Sequence, residues 1–258
     1  MNSLKYLPEW IISRLYLGEI KMTQSEMKTL VANTAIDTLI QEGKIFSGMK
    51  IGLGTGSTAL PAVKRLAEKI QDGTLKDIKA VATSFQTTLA CEELAIPVFT
   101  MNDKVISGEL DLAIDGADEI VPEKTVIKGG GAALLREKII AYNAKKFVVI
   151  ADDSKLAKTH GTGFALPIEI IAEARVCVIN KLKELGAACV LREGVKKAGP
   201  VITDNGNLIV DCKWEVPVNA FELEDKINKI AGVVECGFFT KNIPEVFVSH
   251  SDGTVERF

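Results

Sequence analysis

Four short segments of the chain concentrate groups that can bind anions and move protons. They are Gly54-Thr55-Gly56-Ser57-Thr58, Asp115-Gly116-Ala117-Asp118-Glu119, Lys128-Gly129-Gly130-Gly131 and Asp152-Asp153-Ser154-Lys155. The first is a glycine turn with hydroxyls at a predicted helix start, where unpaired backbone N–H groups suit a phosphate. It has no third glycine at dinucleotide spacing and no lysine of a Walker loop. The second puts two carboxylates, Asp115 and Asp118, close together after a strand. Carboxylates in different surroundings can divide acid and base roles. The third sets Lys128 before three glycines. Their entropy cost on folding is better explained by close approach of backbone to a ligand than by flexibility. In the fourth, Lys155 can reach a phosphate as a point charge. The set suits a phosphorylated sugar better than a nucleotide.

Each segment also has a plainer explanation. The first can be a tight turn with Ser57 or Thr58 as N-cap, the second an Asx turn with a helix cap, and the fourth a helix cap. Ala133 and Glu137 lie one helical turn apart on one face, and Ala133 leaves space beside the carboxylate. Read alone, Glu137 is an exposed helix residue with Lys138 and Lys145 on other faces. His160 and His250, the only histidines, are read as surface residues. Neither belongs to a metal-ligand pattern, so no metal is expected.

The elements that would carry these segments alternate. Met27, Leu30, Val31, Leu39 and Ile40 recur at helical spacing after a capping box at Thr23 and Glu26. Lys50 to Leu53, Ile78 to Ala82, Leu112 to Ile114 and Phe147 to Ala151 read as strands, each before or beside a glycine or hydroxyl-rich turn. This predicts an α/β fold with a doubly wound, mostly parallel Rossmann-like sheet, whose strand ends are the usual ligand site. Residues 165–236 read instead as strand–helix–strand–strand–helix–strand, a smaller ferredoxin-like α+β subdomain with a hairpin at Asn205-Gly206. The expected division is a catalytic domain of 22–164 plus 237–258, the subdomain 165–236, and an N-terminal extension, 1–21.

The 258 residues suffice for a large core, and the net charge of -3 and pI near 5.6 favour neither nucleic acid nor an anionic membrane. Five scattered cysteines without a CxxC pair read as reduced thiols, hence a cytoplasmic protein. No apolar stretch spans a bilayer.

In order, GLGTGST (52–58), TSFQT (83–87), DGADE (115–119), KGGGAALLREK (128–138) and DDSK (152–155) resemble type A ribose-5-phosphate isomerase, from about Met22 to the C-terminus. The resemblance implies interconversion of ribose 5-phosphate and ribulose 5-phosphate in the pentose phosphate pathway, without metal or organic cofactor, by a homodimer. It implies Glu137 as catalytic base, Asp115 and Asp118 as substrate-site carboxylates, and Lys128 as active-site lysine. It implies Lys28, Thr55, Gly56, Ser57, Thr58, Gly116, Ala117, Gly129, Gly130, Gly131 and Lys155 as lining the sugar-phosphate site. Ring opening falls to Asp115 as the candidate proton carrier. Two rivals are a sugar-phosphate-sensing regulator, which would need a DNA-binding module, and an amino-sugar phosphate deaminase or lactonase. In the latter a histidine is expected near the ring-opening chemistry, and neither histidine here lies in a core motif.

Overall fold

Thr23 starts the first helix with a complete capping box: its hydroxyl accepts from Glu26 N–H, and its own N–H donates to Glu26 Oε2 at 2.7 Å. The computed structural model describes residues 21–258, so the expected extension 1–21 lies outside the described residues except for Lys21. Helix α1 (Gln24–Gln41) buries Leu30, Val31, Ile36 and Leu39 and ends before Gly43, whose φ of +66° no branched residue would accept readily.

The chain divides into two compact units. The first holds the described residues up to Gly116, Ile140–Ser154 and Pro244–Phe258. Its strands are β1 (Lys50–Leu53), β2 (Lys79–Ala82), β3 (Val98–Phe99), β4 (Leu112–Gly116), β7 (Phe147–Asp152), β13 (Glu245–Ser249) and β14 (Val255–Arg257). They form one sheet in the order β14-β13-β7-β4-β1-β2-β3. Every pairing is parallel except β13 with β14. Helices α2 (Gly56–Gln71) and α3 (Phe85–Glu93) follow β1 and β2. Ile51, Leu53, Leu112, Ile114, Val148 and Ile150 form a core with Val31 and Ile36 of α1 and Val63 and Leu66 of α2. Strands buried on both faces explain their continuous apolar runs.

Chain order reverses at β1: the chain passes to β2 and β3 on one side, then to β4 and β7 on the other. That is the switch point at which the C-terminal ends of neighbouring strands leave room for a ligand. The Gly54 turn follows β1, and Asp115 lies in β4.

The second unit holds Ala117–Ile139 and Lys155–Ile243, so its boundary falls within helix α4 (Leu134–Tyr142). It takes in more chain than the 165–236 expected from the sequence. Strands β8 (Leu166–Ile170), β9 (Ala188–Leu191), β10 (Leu208–Lys213) and β11 (Val233–Cys236), with helices α5 (Arg175–Glu184) and α6 (Ala220–Asn228), give the ferredoxin-like sequence of elements. The antiparallel sheet order is β11-β8-β10-β9. The expected hairpin is reduced: Gly206 N–H bonds back to Thr203, but its first arm is a single bridge, Ile202 to Leu208. A second sheet, β12-β6-β5, joins three two-residue strands, β5 (Glu119–Ile120), β6 (Val126–Ile127) and β12 (Phe238–Phe239).

Candidate active site

In the first unit the site is built around one buried carboxylate. Asp115 Oδ1 accepts the Thr55 N–H at 3.1 Å and the Gly116 N–H at 2.7 Å. Gly54 is a steric necessity here, since a Cβ on it would lie 1.9 Å from that oxygen. The N-cap of α2 is Thr55, not Ser57 or Thr58, and its side chain does not cap. The Thr55 hydroxyl instead shares hydrogen bonds with Thr83 and Ser84, both at 2.6 Å, and with Thr87 at 3.1 Å. Thr87 in turn donates to the Gly54 carbonyl at 2.8 Å. These hydroxyls come from the TSFQT stretch, and they rigidify the turn. Gln86 Oε1 accepts the Gly56 N–H at 3.1 Å, while Lys28 Nζ donates to Ser57 Oγ at 2.9 Å. The first turn of α2 thus combines a helix N-terminus, hydroxyls of Ser57 and Thr58, and the ammonium of Lys28, the constituents of a phosphate site. Lys28 and Ser57, read from separate parts of the sequence, are brought together.

The second unit carries a different set. Lys128 and Glu137 are both buried, 3% and 5% exposed, with Lys128 Nζ 3.3 Å from Glu137 Oε2. The exposed position that Glu137 would occupy as an ordinary helix residue is therefore not what forms. Lys128 follows β6, and its N–H donates to the Gly237 carbonyl at 2.9 Å, anchoring it to the segment before β12. Phe239 of β12 places its ring 5.7 Å from Lys128 Nζ. Lys138 is buried too, rather than on an outer face. Its ammonium bonds Glu224 Oε1 at 2.7 Å, Glu235 Oε1 at 2.8 Å and the Cys236 carbonyl at 2.8 Å, 5.0 Å from the same ring. Glu224, Glu235 and Cys236 are the one group of possible metal ligands found close together among the described residues. Lys138 already bridges its two carboxylates.

Asp118 does not cap a helix. Its Oδ2 accepts the Gly130 N–H at 2.7 Å, and a Cβ on Gly130 would lie 2.6 Å from Oδ1. Gly129 has φ +103° and no room for a Cβ beside Leu134 and Pro167. Gly131 is exposed and Ala117 half-buried. Lys155 ends a short 3₁₀ turn, Asp153–Lys155, and is half-buried. Among the residues named from the sequence, Lys28, Thr55, Gly56, Ser57, Thr58, Asp115 and Gly116 belong to the first unit. Ala117, Asp118, Lys128, Gly129, Gly130, Gly131, Glu137 and Lys155 belong to the second.

His160 corrects a surface assignment. It is 3% exposed, with Nδ1 2.7 Å from Glu119 Oε1, Nε2 3.0 Å from Thr125 Oγ1, and its ring against Phe238. Two buried partners satisfy both ring nitrogens, so this histidine is structural. Sequence reasoning missed Arg192 and Asp211. Arg192 donates to the Gly129 and Gly130 carbonyls at 2.9 and 3.0 Å and forks onto Asp211. Nothing local marks this pair, because Arg192 is 63 residues from Gly129. A cavity of about 820 Å³ beside Trp214 and Lys213 contains none of these residues.

A family model described as ribose 5-phosphate isomerase A (phosphoriboisomerase A) matches residues 79–253. The chain is 62% identical over 237 residues to the ribose-5-phosphate isomerase A of Treponema denticola, covering 91% of this chain and 99% of that protein. It is 53% identical to that of Treponema pallidum over 232 residues, 89% of this chain and 91% of the relative. Among solved structures, ribose 5-phosphate isomerase A from Methanocaldococcus jannaschii superposes with TM-score 0.83 at 40% identity, covering 92% of this chain and 99% of that one. A D-ribose-5-phosphate isomerase in complex with phospho-erythronic acid superposes with TM-score 0.85 at 39% identity, with the same coverages, 92% and 99%.

Proposed function

The chain belongs to the ribose 5-phosphate isomerase A family, and we propose that it interconverts D-ribose 5-phosphate and D-ribulose 5-phosphate through an enediolate, with Glu137 as the single base. The observation that carries this reading is the buried Lys128–Glu137 pair at 3.3 Å. Isomerisation needs one carboxylate to take the proton from C2 and return it to C1 on the same face, while the O2 hydroxyl proton passes to O1. Negative charge thereby moves from Glu137 onto the sugar oxygens. Lys128 is near enough to its carboxylate to serve both charge distributions, so the positive charge need not move far as the reaction proceeds. A positioned base contributes roughly 10²–10⁴-fold.

The other residues take roles by their chemistry. Asp115 exchanges the protons of ring opening, and Asp118 orders the glycine loop. Lys28 and the Thr55–Thr58 turn hold the phosphate, whose binding energy positions the reacting carbons. Lys155 takes a phosphate-binding role as a point charge. No metal or organic cofactor enters this scheme. A homodimer and a cytoplasmic location belong to the same proposal and rest on the family likeness; no described helix is long and apolar enough to cross a membrane.

The test is direct. Purified protein, dialysed against EDTA, should convert ribose 5-phosphate to ribulose 5-phosphate at full rate. Absence of conversion would remove the activity. Conversion that chelation abolishes and a divalent ion restores would remove the metal-free scheme.

A further inference from the structure

The Gly129 and Gly130 carbonyls and the Gly130 N–H of the glycine loop are each tied down by a side chain. The Arg192 Nε and Nη2 donate to Asp211 Oδ2 and Oδ1 at 2.8 and 2.5 Å, a two-point fork that fixes the guanidinium plane. The remaining nitrogen, Nη1, then points at the loop and donates to the Gly129 and Gly130 carbonyls at 2.9 and 3.0 Å. The Ala132 N–H also closes onto the Gly129 carbonyl at 2.9 Å, and Asp118 takes the Gly130 N–H. The Gly131 N–H, by contrast, bonds no other described residue. In a trans peptide the C=O of Gly130 and the N–H of Gly131 point in opposite directions. Whatever holds that carbonyl therefore sets the direction of that donor.

We propose that Arg192, held by Asp211, is a positioning residue which pins the Gly129 and Gly130 carbonyls and so aims the Gly131 N–H at an oxyanion of the bound sugar phosphate. This rests on the activity proposed above. Arg192 touches no reacting atom; it acts through the loop. Only a planar fork can bind a carboxylate on two nitrogens and two carbonyls on a third, so lysine is not an equivalent.

The experiment compares wild type, Arg192→Ala, Arg192→Lys and Asp211→Asn in ribose 5-phosphate turnover, with and without sub-denaturing guanidinium. Amide hydrogen exchange at Gly130 and urea unfolding are measured on the same samples. An oxyanion donor is worth about 10²–10³-fold, so Arg192→Ala should lower kcat by roughly 10²-fold with little change in KM. Added guanidinium should recover a substantial part of that loss, and Gly130 exchange should quicken. Arg192→Lys, which keeps charge and bulk, should still fold and still lose roughly tenfold in kcat, by the same reasoning. Turnover in Arg192→Ala near the wild-type rate would overturn the inference. So would a loss that guanidinium leaves unrepaired while Gly130 exchange stays slow. If Arg192→Ala does not fold, normal kcat in Arg192→Lys overturns it equally. A wild-type chain that fails to isomerise would instead overturn the proposed activity, with Gly130 exchange still reporting on the clamp.

Discussion

A single hydrogen atom decides the geometry at Gly54. A methyl there would fall 1.9 Å from Asp115 Oδ1 and 2.7 Å from Asp115 Cα, and a backbone atom cannot swing aside. Gly54→Ala should therefore displace Asp115, lower stability by roughly 1–3 kcal/mol as overpacking does, and suppress turnover of ribose 5-phosphate. Urea unfolding and the isomerase assay read both effects, and an unchanged midpoint would contradict the crowding argument. The polar residues of this turn were legible in the sequence because glycine and hydroxyls concentrate where a parallel strand ends. Glu137 was harder to read. By spacing alone it is one more charge on a helix, and its burial depends on Lys128, which arrives from another element. His160 was misread for the same reason: Glu119 and Thr125, its partners, lie 41 and 35 residues away.

Among the elements, α4 is held from its interior side by charge. Lys138 donates to two carboxylates and a carbonyl while 4% exposed. Lys138→Met keeps the length but leaves Glu224 and Glu235 without their ammonium. Breaking a buried ion pair from one side costs about 3–5 kcal/mol, which urea unfolding should register as a lowered midpoint; a neutral result would mean the carboxylates find other partners. A second network ties the end of α1 to the β13–β14 edge. Arg257 forks onto Glu42 at 2.5 and 2.7 Å, and Lys44 joins Glu42 to Glu245. The Arg257 guanidinium, then the Lys44 ammonium, hold the Glu42 carboxyl down from 4.5 to about 2. A depressed folded-state pKa means the stabilisation is complete above about pH 4.5 and disappears as pH falls toward about 2. Glu42→Gln should flatten this part of the acid-unfolding curve, most visibly at low salt because the carboxylate is well exposed. A variant with the wild-type acid limb would show that water screens the network completely. At this scale the capping box of α1 was plain from Thr23 and Glu26. The β12-β6-β5 sheet was not, because two-residue strands are too short to show a period.

For the molecule as a whole, alternating apolar runs and helices in the first half, and the six-element run in the second, foretold the two larger of the three sheets. The run of elements is enough for this, since short connections allow few topologies. The limits of the two units were less legible: residues 117–139 look like a continuation of the α/β pattern, yet group with β8–β11. They do so through contacts distant in sequence, such as Lys138 with Glu224 and Lys128 N–H with the Gly237 carbonyl. The proposed reaction depends on one carboxylate in that stretch. Glu137→Gln keeps the shape of the side chain and removes its basicity. Followed in D₂O, turnover of ribose 5-phosphate and exchange of its C2 hydrogen should fall together, by roughly 10²–10⁴-fold, while KM changes little. Near-normal turnover, or slowed turnover with undiminished exchange at C2, would contradict Glu137 as the base.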